Sequence, residues 1–205
     1  TELPPLSPGA KPWDTLDATH RRVYARYMEV YAGLISNLDA NIGRFLAALD
    51  ECGQRENTLV VVLSDKAGSA EGTQYGTPNV FASALGRPVP IEKAAELHDV
   101  MGGDTTFPHY PIGWACASNT PFRLYKQYAH LGGVADPLIV SWPKGIAARG
   151  LRRRFVHVID LYPTILEVAG VERPEVYRGR KLKPVEGASI VATFGDDAAP
   201  TRTSQ

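Results

Sequence analysis

Six consecutive residues, Thr58-Leu59-Val60-Val61-Val62-Leu63, constrain the fold more than any other stretch of the chain. A strand with one wet face alternates apolar and polar side chains. This run does not alternate, so it predicts a strand covered on both faces, as in a parallel sheet. Residues 137–142, Pro137-Leu138-Ile139-Val140-Ser141-Trp142, have the same character and predict a second one. Ahead of the first strand, Tyr24, Tyr27, Met28, Tyr31, Leu34, Ile35, Leu38, Ile42, Phe45, Leu46 and Leu49 recur at three- and four-residue steps. That period predicts a long helix over about residues 20–50 with one buried face, stopped at Gly53. Pro90 and the segment 91–101 predict a short helix ended by Gly102-Gly103, and Asp160 caps another through Val168, stopped by Gly170. The order helix, strand, loops, strand, helix places the chain in the α/β class, with a mainly parallel sheet flanked by helices.

Length sets the scale: 205 residues suit one domain or a large part of one. Twenty-two basic residues balance twenty-two acidic ones, so no global field draws the chain to nucleic acid or an anionic membrane. No apolar run reaches transmembrane length, and Thr1-Glu2-Leu3-Pro4-Pro5 is not a signal peptide. Compartment stays open between cytoplasm and periplasm, and oligomeric state is equally open. Residues 1–13 form an extended lead-in, fixed by Pro4, Pro5, Pro8 and Pro12. Cys52 and Cys116 lack zinc spacing and are read as reduced thiols, with a single bridge as the alternative.

The chemistry concentrates in two loops, residues 65–90 and 104–136, of the length that tends to be functional. Asp65 directly follows the first strand, where a carboxylate is well placed for a metal; the plainer alternative is a turn cap. Lys126 sits in the second loop among aromatic residues and close to Gly132-Gly133. With Arg123 and His130 it makes a cluster able to bind an anion, against the alternative of a solvated lysine. The five histidines show no metal-ligand spacing; His109 and His130 occupy the second loop, and a structural role is the stronger reading for both. No G-x-S-x-G elbow is present to seat a serine nucleophile.

Taken in order, several stretches resemble the sulfatase family, in its bacterial arylsulfatase branch. They are Met28-Glu29-Val30-Tyr31-Ala32-Gly33, Leu38-Asp39-Ala40-Asn41-Ile42-Gly43-Arg44, Leu63-Ser64-Asp65, Ser69-Ala70-Glu71-Gly72, and Asn119-Thr120-Pro121-Phe122-Arg123 with Lys126. Asp136 to Ile146 and His157 to Thr164 continue the series, so the matches cover nearly the whole chain. The resemblance implies an alkaline-phosphatase-like α/β fold, here incomplete, with residues 1–205 as part of one catalytic domain. It implies a hydrolase acting on a small-molecule sulfate ester, a calcium ion, and a formylglycine nucleophile made from Cys or Ser in a C/S-x-P-x-R motif. Asp65 would then be a calcium ligand and Lys126 would contact the sulfate group. A phosphoesterase or phosphonate hydrolase of the same superfamily, or a non-catalytic domain binding an anion or a partner protein, would share these features.

Two departures stand out. The nucleophile motif is absent: Pro121/Arg123 and Pro200/Arg202 supply Pro-x-Arg, but Asn119 and Ala198 stand two positions earlier, and neither converts to an aldehyde. Where the family has an Asn ligand, this chain has Lys66, which has no lone pair to offer a metal. An ammonium held about 4 Å from a divalent ion would cost about 8 kcal/mol at an effective dielectric of about 20. The expectation is therefore weak or no calcium binding by this chain, with an anion held instead.

Overall fold

The computed structural model describes residues 3–147 and 149–203. Thr1 and Glu2 of the lead-in, and Ser204 and Gln205 at the end, lie outside the described residues. The chain divides into two units, one made of residues 1–48 and 61–139, the other of residues 49–60 and 140–205.

In the first unit, helix α1 (Ala18–Glu51) begins where the Asp17 carboxylate accepts the His20 backbone N–H at 2.9 Å, a side-chain cap. Its first turns bury Val23, Tyr24 and Tyr27 against Met101, Tyr110, Ile112, Ala115 and Tyr125. Arg26 fixes the helix further by donating to His98 O at 3.1 Å and Met101 O at 2.9 Å. The expected buried face stops there. Leu34 is 63% exposed, and Ile35, Leu38 and Phe45 are exposed as well. The apolar period continues, but residues 31–40 are exposed, and the face is half-buried again only at Ile42, Leu46 and Leu49. Gly53 ends the helix as expected, at φ +65° with its N–H bonded to Asp50 O at 2.9 Å.

Strands β1 (Val60–Leu63) and β2 (Leu138–Ser141) form a two-stranded sheet where strands are expected. The Ser64 N–H bonds Pro137 O at 3.3 Å, so the end of β1 meets the start of β2 and the pair runs antiparallel. This corrects the parallel reading. Both strands are half-covered, with Ile139 61% exposed, and antiparallel pairs tolerate one wet face. The composition of an apolar run does not encode its direction. No broad parallel sheet is present among the described residues.

The two loops are more structured than their composition predicts. Helix α2 (Val80–Ala84) is capped by Asn79, whose side chain accepts from Phe81 N and Ala82 N. Helix α3 (Ile91–Glu96) follows Pro90 and precedes Gly102, at φ +92°. Helices α4 (Ile112–Asn119) and α5 (Leu131–Val134) interrupt the aromatic segment. Helix α4 carries no sequence signal longer than two turns, which is why periodicity passes over it.

In the second unit, helix α6 (Leu161–Ala169) ends at Gly170 in the left-handed region, as expected. The Asp160 side chain caps the preceding turn rather than α6 itself, accepting the His157 N–H at 2.9 Å. It also accepts from Ala188 N at 2.9 Å, and Arg202 Nε lies 3.0 Å away. A two-residue hairpin of β3 (Val176–Tyr177) and β4 (Arg180–Lys181) is antiparallel, pairing Val176 with Lys181. Cys52 and Cys116 are both free.

Candidate functional site

Asp65 sits just past the end of β1, in the first unit, as its position predicts. Its Oδ2 is 2.7 Å from Lys66 Nζ, and this hydrogen-bonded ammonium holds the Asp65 carboxyl below the usual carboxylate range. In return Asp65 raises Lys66 above the ordinary lysine value. Asp136, just ahead of β2, is shifted the other way: burial raises it, and the Asp65 charge adds to that. The turn is drawn tight by the Ser64 hydroxyl, which donates to Lys66 O at 2.7 Å.

Six residues further on, Glu71 pairs with Lys126. The pairing, chiefly its hydrogen bond, lowers Glu71, and the His109 charge lowers it further. Lys126 is placed by its backbone, whose N–H bonds Gly68 O at 2.9 Å. Asn119 ties the same two loops together. Its Oδ1 accepts Gly68 N at 2.9 Å and its Nδ2 donates to Leu124 O at 2.9 Å, from a buried position. Neutral and buried, with both ends of its amide bonded, Asn119 positions Lys126 against the segment leaving β1.

Asp65, Lys66 and Asp136 face an open groove of about 2110 Å³, and Lys126 and Glu71 lie outside its walls. The Lys126 charge nevertheless acts on Asp65, and that of Glu71 acts on Lys66, so the four groups form one electrostatic cluster. Arg123 and His130 are not brought into it. The Arg123 carbonyl accepts Gly132 N at 3.0 Å, while the His130 ring stands edge-on to Tyr128 at 6.4 Å. Among the described residues no hydrogen bond or ion pair joins either side chain to the cluster. His109 lies closer, where its charge reaches Glu71 and its Nδ1 is 3.0 Å from Tyr110 O.

Glu71 and Asn119 are the site residues whose roles the sequence does not show. Glu71 appears there only inside a matched motif, and Asn119 only as a residue unable to become an aldehyde. Their partners lie 55 and 51 residues away, beyond any local pattern.

The donors present do not fit a calcium ion. Among the described residues no group of three or more His, Cys, Asp or Glu could hold a metal. Asp65 and Asp136 offer two carboxylates where calcium takes six to eight oxygens, and an ammonium stands directly on one of them. The Asp65 side chain is 81% exposed, so water screens the repulsion between Lys66 and a divalent ion without removing it.

Comparison with known proteins gives the family. The Sulfatase family profile matches residues 8–171. A sulfatase of Schizosaccharomyces pombe is 35% identical over 187 residues, covering 91% of this chain and 33% of that protein. An arylsulfatase of Klebsiella aerogenes is 31% identical over 186 residues, covering 89% of this chain and 38% of the relative. An N-acetylgalactosamine-6-sulfatase of Mus musculus is 27% identical over 178 residues, covering 82% and 27%. The chain thus spans between about a quarter and two fifths of these relatives.

Proposed function

Because the chain belongs to the Sulfatase family, whose alkaline-phosphatase-like α/β fold it shares in part, we propose that it carries one wall of a sulfuric ester hydrolase site in which Lys126 contacts the sulfate group. The observation that supports this best is the way Lys126 is held. Its backbone is bonded to Gly68 in the segment leaving β1, its ammonium is set by Glu71, and Asn119 braces both loops. A fixed ammonium offsets charge that grows on a transferring anionic group. We place both units within one catalytic domain, since the family match runs through both. Sulfate esters with aromatic leaving groups are the substrate class favoured by the likeness to the Klebsiella enzyme.

The formylglycine nucleophile belongs to a C/S-x-P-x-R motif that these 205 residues do not contain, so no bond-breaking step is assigned to them. Covalent catalysis requires an activated nucleophile, and the chain by itself is expected to leave a chromogenic aryl sulfate intact. Calcium is read as belonging to the family rather than to the donors of this chain. Arg123 and His130, from the same segment as Lys126, are the further candidate contacts for the anion. The described residues include no helix long and apolar enough to cross a membrane.

A second reading is favoured by the missing motif and by Lys66: a sulfatase-like domain that binds an anion without hydrolysing an ester. Titration with inorganic sulfate tests the shared element of both readings. Lys126→Ala should lower affinity roughly tenfold, about 1.4 kcal/mol. Binding indifferent to Lys126 contradicts both. Turnover of an aryl sulfate by the chain alone, if lost in Lys126→Ala, supports the enzyme and requires a nucleophile of another kind.

A further inference from the structure

A cation already stands at the end of β1. The Lys66 ammonium is 2.7 Å from Asp65 Oδ2 and is covalently tethered one residue away, so it cannot diffuse off when another ion arrives. It also lies in the field of Glu71 and interacts with the side chain of Lys126. Two carboxylates and two ammonium groups therefore alternate in one cluster, Asp65 with Lys66 and Glu71 with Lys126. A divalent ion at Asp65 would meet this tethered charge. It would find Asp136 as the other nearby carboxylate facing the same groove. An ammonium has three N–H donors and no acceptor. With one donor directed at Asp65, Lys66 has others to offer the oxygens of an anion placed next to Lys126.

We propose that Lys66 takes the part of the divalent cation in this site, serving both as the counterion of Asp65 and as a second ammonium for a tetrahedral anion beside Lys126. This rests on the reading of Lys126 as the sulfate contact. A lysine acts as a compact point charge on a flexible stem, so it neutralises the anion without the multidentate geometry a metal would impose. The bound anion competes with Asp65 and Glu71 for the two ammonium groups, and its affinity falls as salt screens the pairs.

The test is calorimetric titration of the whole chain with inorganic sulfate at low ionic strength, in excess calcium and again in chelator. Lys66→Met, Lys66→Arg and Lys126→Met are measured alongside. Affinity should be the same with calcium and with chelator, should drop roughly tenfold in each methionine variant, and should return to within about threefold in Lys66→Arg. The arginine variant separates loss of charge from loss of fold, because a folding defect at position 66 would not be rescued by restoring the charge. Calcium-dependent sulfate binding by the unaltered chain, full affinity in Lys66→Met, or an arginine variant as weak as the methionine one would overturn the proposal. Each of these leaves Lys126 in place as long as Lys126→Met weakens binding. Absence of sulfate binding, or binding indifferent to Lys126, overturns this proposal together with the reading it rests on.

Discussion

Gly72 has no room for a side chain. A Cβ there would stand 2.4 Å from Tyr110 O and 2.8 Å from His109 O, both backbone atoms that cannot swing aside. Since Gly72 follows Glu71, this contact presses the Glu71 segment against the 109–110 strand-like stretch and sets where the carboxylate meets Lys126. Gly72→Ala should cost about 1–3 kcal/mol by overpacking, read as a lowered urea midpoint. An unchanged midpoint would show that the loop gives way freely. The pair itself has a signature in pH. Lys126 holds the Glu71 carboxyl below its ordinary value, so the contribution is complete above the ordinary value and is lost as pH falls through the depressed one. Glu71 is 45% exposed, which limits the effect to below about 1 kcal/mol. The thermal midpoints of the chain and of Glu71→Gln should differ at neutral pH and converge in acid; a constant gap would remove the ion pair from the account. Asp65 and Lys126 were legible because strand ends and aromatic loops are local features. The braces Glu71 and Asn119 were not, since each acts across more than fifty residues.

Among the elements, the turn ahead of α6 is tied to residues 188 and 202 by a single carboxylate. Asp160 is buried, caps the turn at His157, accepts the Ala188 N–H, and faces Arg202, while its carbonyl accepts the Thr164 hydroxyl at 2.6 Å. Asp160→Ala would leave the largely buried Arg202 without its charge partner, so it should destabilise the second unit by about 3–5 kcal/mol. Amide exchange should accelerate across α6 and residues 186–202. Exchange confined to the His157 turn would reduce Asp160 to a local cap. The stop of α6 was readable because Gly punctuates helices, whereas the Asp160 side chain, expected to cap α6, caps the turn before it. The direction of β1 and β2 was not, because pairing is settled by chain connection and a run of valines looks the same both ways. Helix α4 was passed over for a related reason: eight residues with a glycine and a tryptophan show no period, and packing of Ile112 and Ala115 into the core holds the helix instead.

At the scale of the whole molecule, the contrast lies along α1. Tyr27 is buried and Leu34 is 63% exposed on one continuous helix, although the sequence marks them as one face. Periodicity reports a face built to be covered; it does not report what covers it. Met101→Ala, in the core beneath the first turns, should cost about 2–5 kcal/mol, whereas Leu34→Ala should change stability by less than about 0.5 kcal/mol. Equal costs at the two positions would mean that the second half of α1 is packed after all. The family assignment was readable throughout, because it rests on the order of many short matches along the chain. The central claim is an anion seated beside Lys126. The direct measurement is a crystal structure of the chain grown with sulfate. The account predicts tetrahedral density within hydrogen-bond distance of Lys126 Nζ, with the Glu71 pair opened to admit it. Sulfate seated elsewhere, with Lys126 still closed on Glu71, would contradict it.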